Sequence, residues 1–236
     1  MKKTILFISM LAMTMCFVAC SSDDNEEKVP EEVKDPYNGH EYVDLGLPSG
    51  LKWATCNVGA TMPEECGDYY AWGETETKSI YDWSNYIHCN GSVTTLTKYC
   101  TDSKYGTVDN KDVLESSDDV AHVKWGGNWR MPTKAEIEEL SDKNNCEWTW
   151  TTQNGVKGYQ VTSTKNGNSI FLPVTGYRDG STLLDAGSKG YYWSNSLYSS
   201  TYGAYYLSAS DSNYWGIGRP DSHLRYYGRP VRAVCP

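Results

Sequence analysis

Apolar residues fall at helical spacing in one well-bounded stretch, Gly126 to Leu140. Ile137 and Leu140 share a face with Met131 near the entry, while Glu138 and Glu139 fall on the opposite side and point to water. Thr133 and Glu136 form a capping-box pattern, in which the hydroxyl takes the Glu136 amide and the carboxylate reaches back to the Thr133 amide. Pro132 cannot lie inside the helix and pushes Met131 towards extended backbone, and Asn144-Asn145 supplies a stop. The pattern predicts a helix over 133–143. A shorter one is expected over 118–124, with acids at its start and Lys124 at its end, as the helix dipole favours.

Elsewhere the chain reads as turns and short strands. Glu41–Leu45 and Leu51–Thr55 are strand-like and are separated by the Leu47-Pro48-Ser49-Gly50 turn. The stretch 85–117 is polar and without periodicity, hence loop. From Trp148 onward the pattern is β. Asn154-Gly155 and Asn166-Gly167 are tight-turn signals on either side of Gly158–Thr162. Ser169–Leu172 is a short apolar strand expected to be central; Tyr191–Ser194, Ala204–Leu207 and Val231–Val234 are the last strand candidates.

The first 20 residues change the picture of where the chain works. Lys2-Lys3 precede a mostly apolar run from Thr4 to Ala19, too short to span as a mature helix, and Ala19-Cys20 resembles a bacterial lipobox. The implied product carries its lipid on Cys20, and several acyl chains anchor a protein far more firmly than one. Residues 21–36 hold seven acids and two lysines with hardly any apolar side chain, which makes a self-repelling tether. Acids directly after such a cysteine resemble the surface-export signal of Bacteroidota lipoproteins. The expected location is therefore the cell outer membrane, lipid-anchored and facing outward, with residues 37–236 as one domain.

Net charge is −9 with no basic cluster, which argues against nucleic acid as a partner. Aromatics reach 13%, with 19 Tyr and 9 Trp against 3 Phe, a balance suited to rings that keep a polar tip wet. An α+β or all-β domain fits this better than a helical bundle.

Five blocks carry a family resemblance. Gly126-Gly127-Asn128-Trp129-Arg130-Met131-Pro132-Thr133 is similar to a block of the formylglycine-generating-enzyme branch of C-type lectin-like folds. With Gly39–Gly46 and Leu51–Thr55, Ile170–Arg178, Gly190–Ser194 and Gly228–Val234, in that order, the chain resembles the Fibrobacter succinogenes major paralogous domain family. Asp68–Glu74 recurs in that family too. The resemblance implies an α+β, loop-rich C-type lectin-like fold with two short helices and small antiparallel sheets, whose last strand returns beside the first. It says little about ligand, because function lives in sites rather than folds.

Six cysteines follow the leader, an even number that permits three disulfides in an exported domain. Cys89 and Cys100 flank a hairpin carrying Asn90-Gly91 and are the first expected pair. Cys56 with Cys235 is the second, both lying near strands expected to be neighbours, and Cys66 with Cys146 is what remains. No Cys-x-x-Cys and no His pair at helix spacing is present, and His40, His88, His122 and His223 are scattered, so no metal or cofactor is expected. Arg219-Pro220-Asp221 faintly resembles a calcium-lectin motif but reads better as a turn. The paired redox cysteines of the formylglycine-generating enzymes have no counterpart near Cys235. Asp221-Ser222-His223 holds triad residue types, but a triad is recognised by geometry and not by adjacency. Glu136, Glu138 and Glu139 read as solvating, and Gly126-Gly127 lacks the phosphate-loop pattern. No enzyme is expected.

The segment Tyr191–Tyr227 holds nine tyrosines and eight serines, the composition of an antibody-like binding surface. Tyr198, Tyr202, Tyr214, Trp215, Arg219, Asp221 and His223 are the candidate ligand contacts, while Tyr192, Trp193, Tyr206 and Leu207 read as scaffold. Related C-type lectin-like proteins carry a C-terminal region diversified by a retroelement, and the composition of 197–225 is compatible with that. The expected function is capture of an external protein or glycan at the cell surface. A structural role in the envelope or a surface filament is the alternative, and a degenerate enzyme the third reading.

Overall fold

The computed structural model describes residues 35–211 and 219–236, with the backbone course alone for 219–223. The leader, Cys20, the tether to residue 34, and Tyr214 with Trp215 lie outside the described residues. Asp35 and Pro36, expected at the end of the tether, are already bonded into the fold: Asp35 accepts from the Tyr37 and Gly39 amides at 3.0 and 2.8 Å, and Pro36 O from Asn128 N at 3.3 Å.

Two short helices and four small antiparallel sheets occupy the unit Lys34–Pro236, so the chain is a loop-rich α+β protein. Strands β1 (Tyr42–Asp44) and β2 (Lys52–Ala54) form the first hairpin. The turn between them closes with Gly50 N donating to Leu47 O at 2.8 Å. Helix α1 (Val120–Trp125) starts at Asp119, whose carboxylate accepts from the Ala121 and His122 amides. Helix α2 (Lys134–Ser141) carries the expected capping box in full. Its ends lie inside the predicted 133–143, because Asp142 already leaves helical geometry.

Strands β3 (Cys146–Gln153), β4 (Val156–Ser163) and β5 (Ser169–Pro173) form the second sheet in that order. Asn154 and Gly155 join the first two with φ of 48° and 83°, the left-handed pair that a two-residue hairpin turn requires. β5 is an edge strand and not the central one expected. Its Ile170, Phe171 and Leu172 are nevertheless buried. The buried Arg232 guanidinium covers the strand, donating to Phe171 O at 3.0 Å and also to Asn57 Oδ1, Ala54 O and Thr55 O.

A small ribbon, β6 (Tyr177–Asp179) with β7 (Thr182–Leu184), precedes the third sheet of β8 (Lys189–Leu197), β9 (Gly203–Ser210) and β10 (Arg219–Leu224), ordered β10-β9-β8. Arg219-Pro220-Asp221 is therefore extended strand and not a turn. The final strand, β11 (Val234–Cys235), does return to the first hairpin, but it pairs with β2 and not with β1. Among the described residues no helix is long and apolar enough to cross a membrane.

One core cluster lies around Trp72, Trp129, Trp193 and Tyr206, and a second around Trp53, Ile137, Leu140, Val161 and Val234. A third, with Tyr69, Tyr81, Tyr86, Leu96 and Cys100, supports the long loop 85–117. The expected disulfides are not formed, and all six described cysteines are free thiols. Four of them are turned to backbone carbonyls. Cys89 Sγ lies 3.1 Å from Trp83 O, Cys100 Sγ 3.2 Å from Asp102 O, Cys56 Sγ 3.4 Å from Ala60 O, and Cys235 Sγ 3.8 Å from Pro36 O. Cys66 and Cys146 belong to different core clusters.

Candidate functional site

The turn between β8 and β9 is built to hold tyrosines at the surface. It closes through Tyr198 N to Gly203 O at 3.1 Å and Gly203 N to Ser200 O at 2.8 Å. Within it Thr201 is buried, and its hydroxyl donates inward to Tyr99 O at 3.0 Å. Arg225, wholly buried just after β10, donates to Thr201 O, Tyr99 O and Lys98 O at 3.1, 2.7 and 3.1 Å, and to Tyr86 Oη at 3.1 Å. Its guanidinium also packs over the Trp72 and Tyr86 rings. A charge buried without a carboxylate survives because oxygen atoms take its donors and aromatic faces cover its planes. Arg225 N donates to Tyr202 O, which ties the far side of the turn to the same anchor.

Around this anchor four tyrosines are half-buried. Tyr198 meets Tyr205 edge-on at 5.0 Å, and Lys134 Nζ of α2 lies 5.2 Å from the Tyr205 ring centre. On the other side Tyr202 packs on Tyr105 at 5.3 Å, with Lys104 Nζ 5.3 Å from that ring. Phenol rings in this state offer an apolar face and a hydrogen-bonding tip at little entropic cost, which suits stacking on a sugar ring or a side chain. The flanking ammonium groups add cation–π contacts, that of Lys134 being also paired with Glu138 at 2.6 Å.

Of the candidate contacts, Tyr198 and Tyr202 thus share one turn but face different neighbours. Arg219, Asp221 and His223 lie on β10 opposite Ser208, Tyr206 and Ala204 of β9. Asp221-Ser222-His223 are consecutive positions of that extended strand. The scaffold residues Tyr192, Trp193, Tyr206 and Leu207 are buried. Sequence reasoning missed Tyr205, Tyr105, Lys104 and Lys134. Alternation against buried Ala204 and Tyr206 was a signal for Tyr205. For Tyr105 there was none, since it comes from the aperiodic loop.

The acidic helix face is not simply solvating. Glu136 pairs with Arg130, and Glu139 accepts from Ser49 N and Oγ at 2.7 and 2.6 Å. The densest titratable cluster is His88, Lys98, Tyr99, Glu115 and Asp118. Asp118 takes Lys98 Nζ and Tyr99 Oη at 2.6 Å each, and His88 Nε2 lies 2.9 Å from Gly73 O and 3.8 Å from Asp118. Burial pushes the imidazole down, towards the neutral form. This network ties the long loop to the core. Among the described residues no three His, Cys, Asp or Glu side chains are grouped to hold a metal ion.

No protein-family model matches the chain, and no curated protein and no solved structure matches it either.

Proposed function

We propose that this protein is a lipid-anchored outer-membrane protein whose C-type lectin-like domain binds an external protein or glycan through the β8–β9 turn. The observation that carries the reading is the combination in that turn: Thr201 and Arg225 fix it from inside, while Tyr198, Tyr202, Tyr205 and Tyr105 stay half-exposed between two lysines. A preorganised aromatic surface loses little freedom on binding, which favours affinity. The family resemblance supports the fold name, and Lys2-Lys3, the apolar run and Ala19-Cys20 support the anchor. The test is a glycan and protein array probed with the full chain. Selective capture of one ligand class is expected, and uniform failure to bind any glycan or protein would contradict the reading. For the anchor, Cys20→Ala should move the protein out of the detergent phase; unchanged partitioning would contradict it.

The alternative role in envelope or filament assembly is favoured by β3, an eight-residue edge strand with Glu147 as its one charged residue. Such an edge is a template for another strand. Self-association in sedimentation, lost on placing Lys at Thr149, would support it.

A further inference from the structure

Away from the residues of the tyrosine turn, a guanidinium lines a small cavity and bonds to no oxygen among the described residues. Arg178, half-buried in β6, stacks over the Tyr69 ring with its carbon 5.1 Å from the ring centre. Its backbone is fixed both ways to Gly228, at 2.8 and 3.0 Å. Among the described residues no carboxylate and no carbonyl accepts a hydrogen bond from its side chain. The cavity measures about 330 Å³, and Asp68, Thr77 and Ser79 line it together with Arg178. Tyr69 and Tyr81 form its walls, and both are rigid. Tyr81 Oη donates to Tyr69 O at 2.6 Å, Tyr69 Oη donates to Thr175 O at 2.5 Å, and the Tyr81 backbone pairs with Gly180. Lys78, also at the rim, is held by Glu74 at 2.8 Å, so among the described lining residues Arg178 is the cation without an ion-pair partner.

The polar groups select the ligand. A guanidinium with its edges open calls for a planar acceptor, and a carboxylate matches it with two parallel bonds. Asp68 accepts from Tyr70 Oη at 3.2 Å through Oδ2, while its Oδ1 takes no donor among the described residues. Asp68 is exposed, and that oxygen is open to a hydroxyl donor. Sulfate would satisfy Arg178 but offer Asp68 no donor, and a neutral sugar would leave Arg178 unused. A monocarboxylate carrying hydroxyls satisfies both, with the exposed Thr77 and Ser79 hydroxyls as further partners. The volume is at the small end for ligand pockets and holds about one sugar ring. We propose that this cavity binds an acidic saccharide, its carboxylate on Arg178 and a ring hydroxyl on Asp68.

The cavity shares no residue with the tyrosine turn, so this inference stands or falls separately from the proposed function. The test titrates the full chain with glucuronate, galacturonate and N-acetylneuraminate by ligand-observed NMR, with glucose and acetate as controls. At least one acidic sugar should bind about tenfold tighter than either control. Arg178→Gln should remove that margin, and Asp68→Asn should weaken the acidic sugar while strengthening acetate. Because Arg178 also packs on Tyr69, Ser79→Trp provides an independent check: it fills the cavity from an exposed position and should abolish binding at unchanged melting temperature. Acidic sugars that bind no better than acetate or glucose would overturn the proposal. So would acidic-sugar binding that survives Ser79→Trp.

Discussion

Arg130 and Glu136 meet in two parallel bonds, Nη1 to Oε2 at 2.7 Å and Nη2 to Oε1 at 2.6 Å, across the entry to α2. The same carboxylate accepts from Thr133 N at 2.8 Å, so one side chain closes the capping box and clamps the preceding strand-like segment. Arg130 in turn pairs its backbone with Val234 of β11, at 3.0 and 2.9 Å. The helix start, the residues before it and the C-terminal strand are therefore one unit.

This pair makes stability pH-dependent in a defined direction. Burial alone would raise the Glu136 carboxyl, but the bonds from Arg130 and Thr133 outweigh it and hold the group below the ordinary glutamate value. A depressed carboxyl contributes stability that is fully present above its unfolded value, about 4.3, and is lost as pH falls through the folded value. Glu136→Gln should cost about 2 kcal/mol at pH 7, and the gap to wild type should narrow below about pH 4. Urea midpoints at pH 7 and pH 3.5 check both. An equal gap at the two values would mean that the charge is not what matters.

Arg225→Lys should destabilise the protein nearly as much as Arg225→Ala. One ammonium cannot serve Tyr86 Oη, Tyr99 O, Lys98 O and Thr201 O together. Buried acceptors left unpaired cost about 1–3 kcal/mol each, so either change should remove at least about 3 kcal/mol. Urea unfolding measures this, and a Lys variant within about 0.5 kcal/mol of wild type would contradict the anchoring role.

The thiols give a chemical test of the cysteine correction. Without reductant, denatured mature domain should take up alkylating agent at Cys56, Cys66, Cys89, Cys100, Cys146 and Cys235 alike, because all are free. In the native protein Cys56 and Cys66, both half-buried, should react first, and the buried four slowly. Intact mass after each treatment reads the count. Any pair blocked until reduction would restore a disulfide.

What the chain announced about itself was local. The Thr133–Glu136 cap, the Asn154-Gly155 turn and the Leu47–Gly50 turn each depend on a few adjacent residues, and each is where its pattern places it. Across the chain, the family resemblance gave the return of the last strand to the first hairpin, though not its pairing with β2; other long-range relationships were not legible. Ser169–Leu172 reads as a central strand because it is apolar on both faces. What covers it includes Arg232, more than 60 residues away, and no periodicity encodes that. Nothing near Arg225 or Arg178 in sequence shows that one is buried among carbonyls and the other stacked on Tyr69. The tyrosine turn was half legible. Composition marked Tyr198 and Tyr202, but Tyr105 reaches Tyr202 through a loop without pattern.

The central claim is that surface tyrosines of the β8–β9 turn, and not the aromatic core beneath them, capture ligand. The most direct measurement compares Tyr198→Ala/Tyr202→Ala with Trp193→Ala in two assays: thermal melting, and binding to the ligand class that the wild-type chain selects on the array. The double variant should lose capture, since aromatic contacts at binding surfaces commonly contribute about 2 kcal/mol or more, while its melting temperature barely moves. Trp193 is wholly buried and donates through Nε1 to Tyr70 O at 2.9 Å. Its truncation should cost about 3–5 kcal/mol and abolish cooperative melting. A double variant that still captures ligand at wild-type strength, or that melts as Trp193→Ala does, would contradict the account.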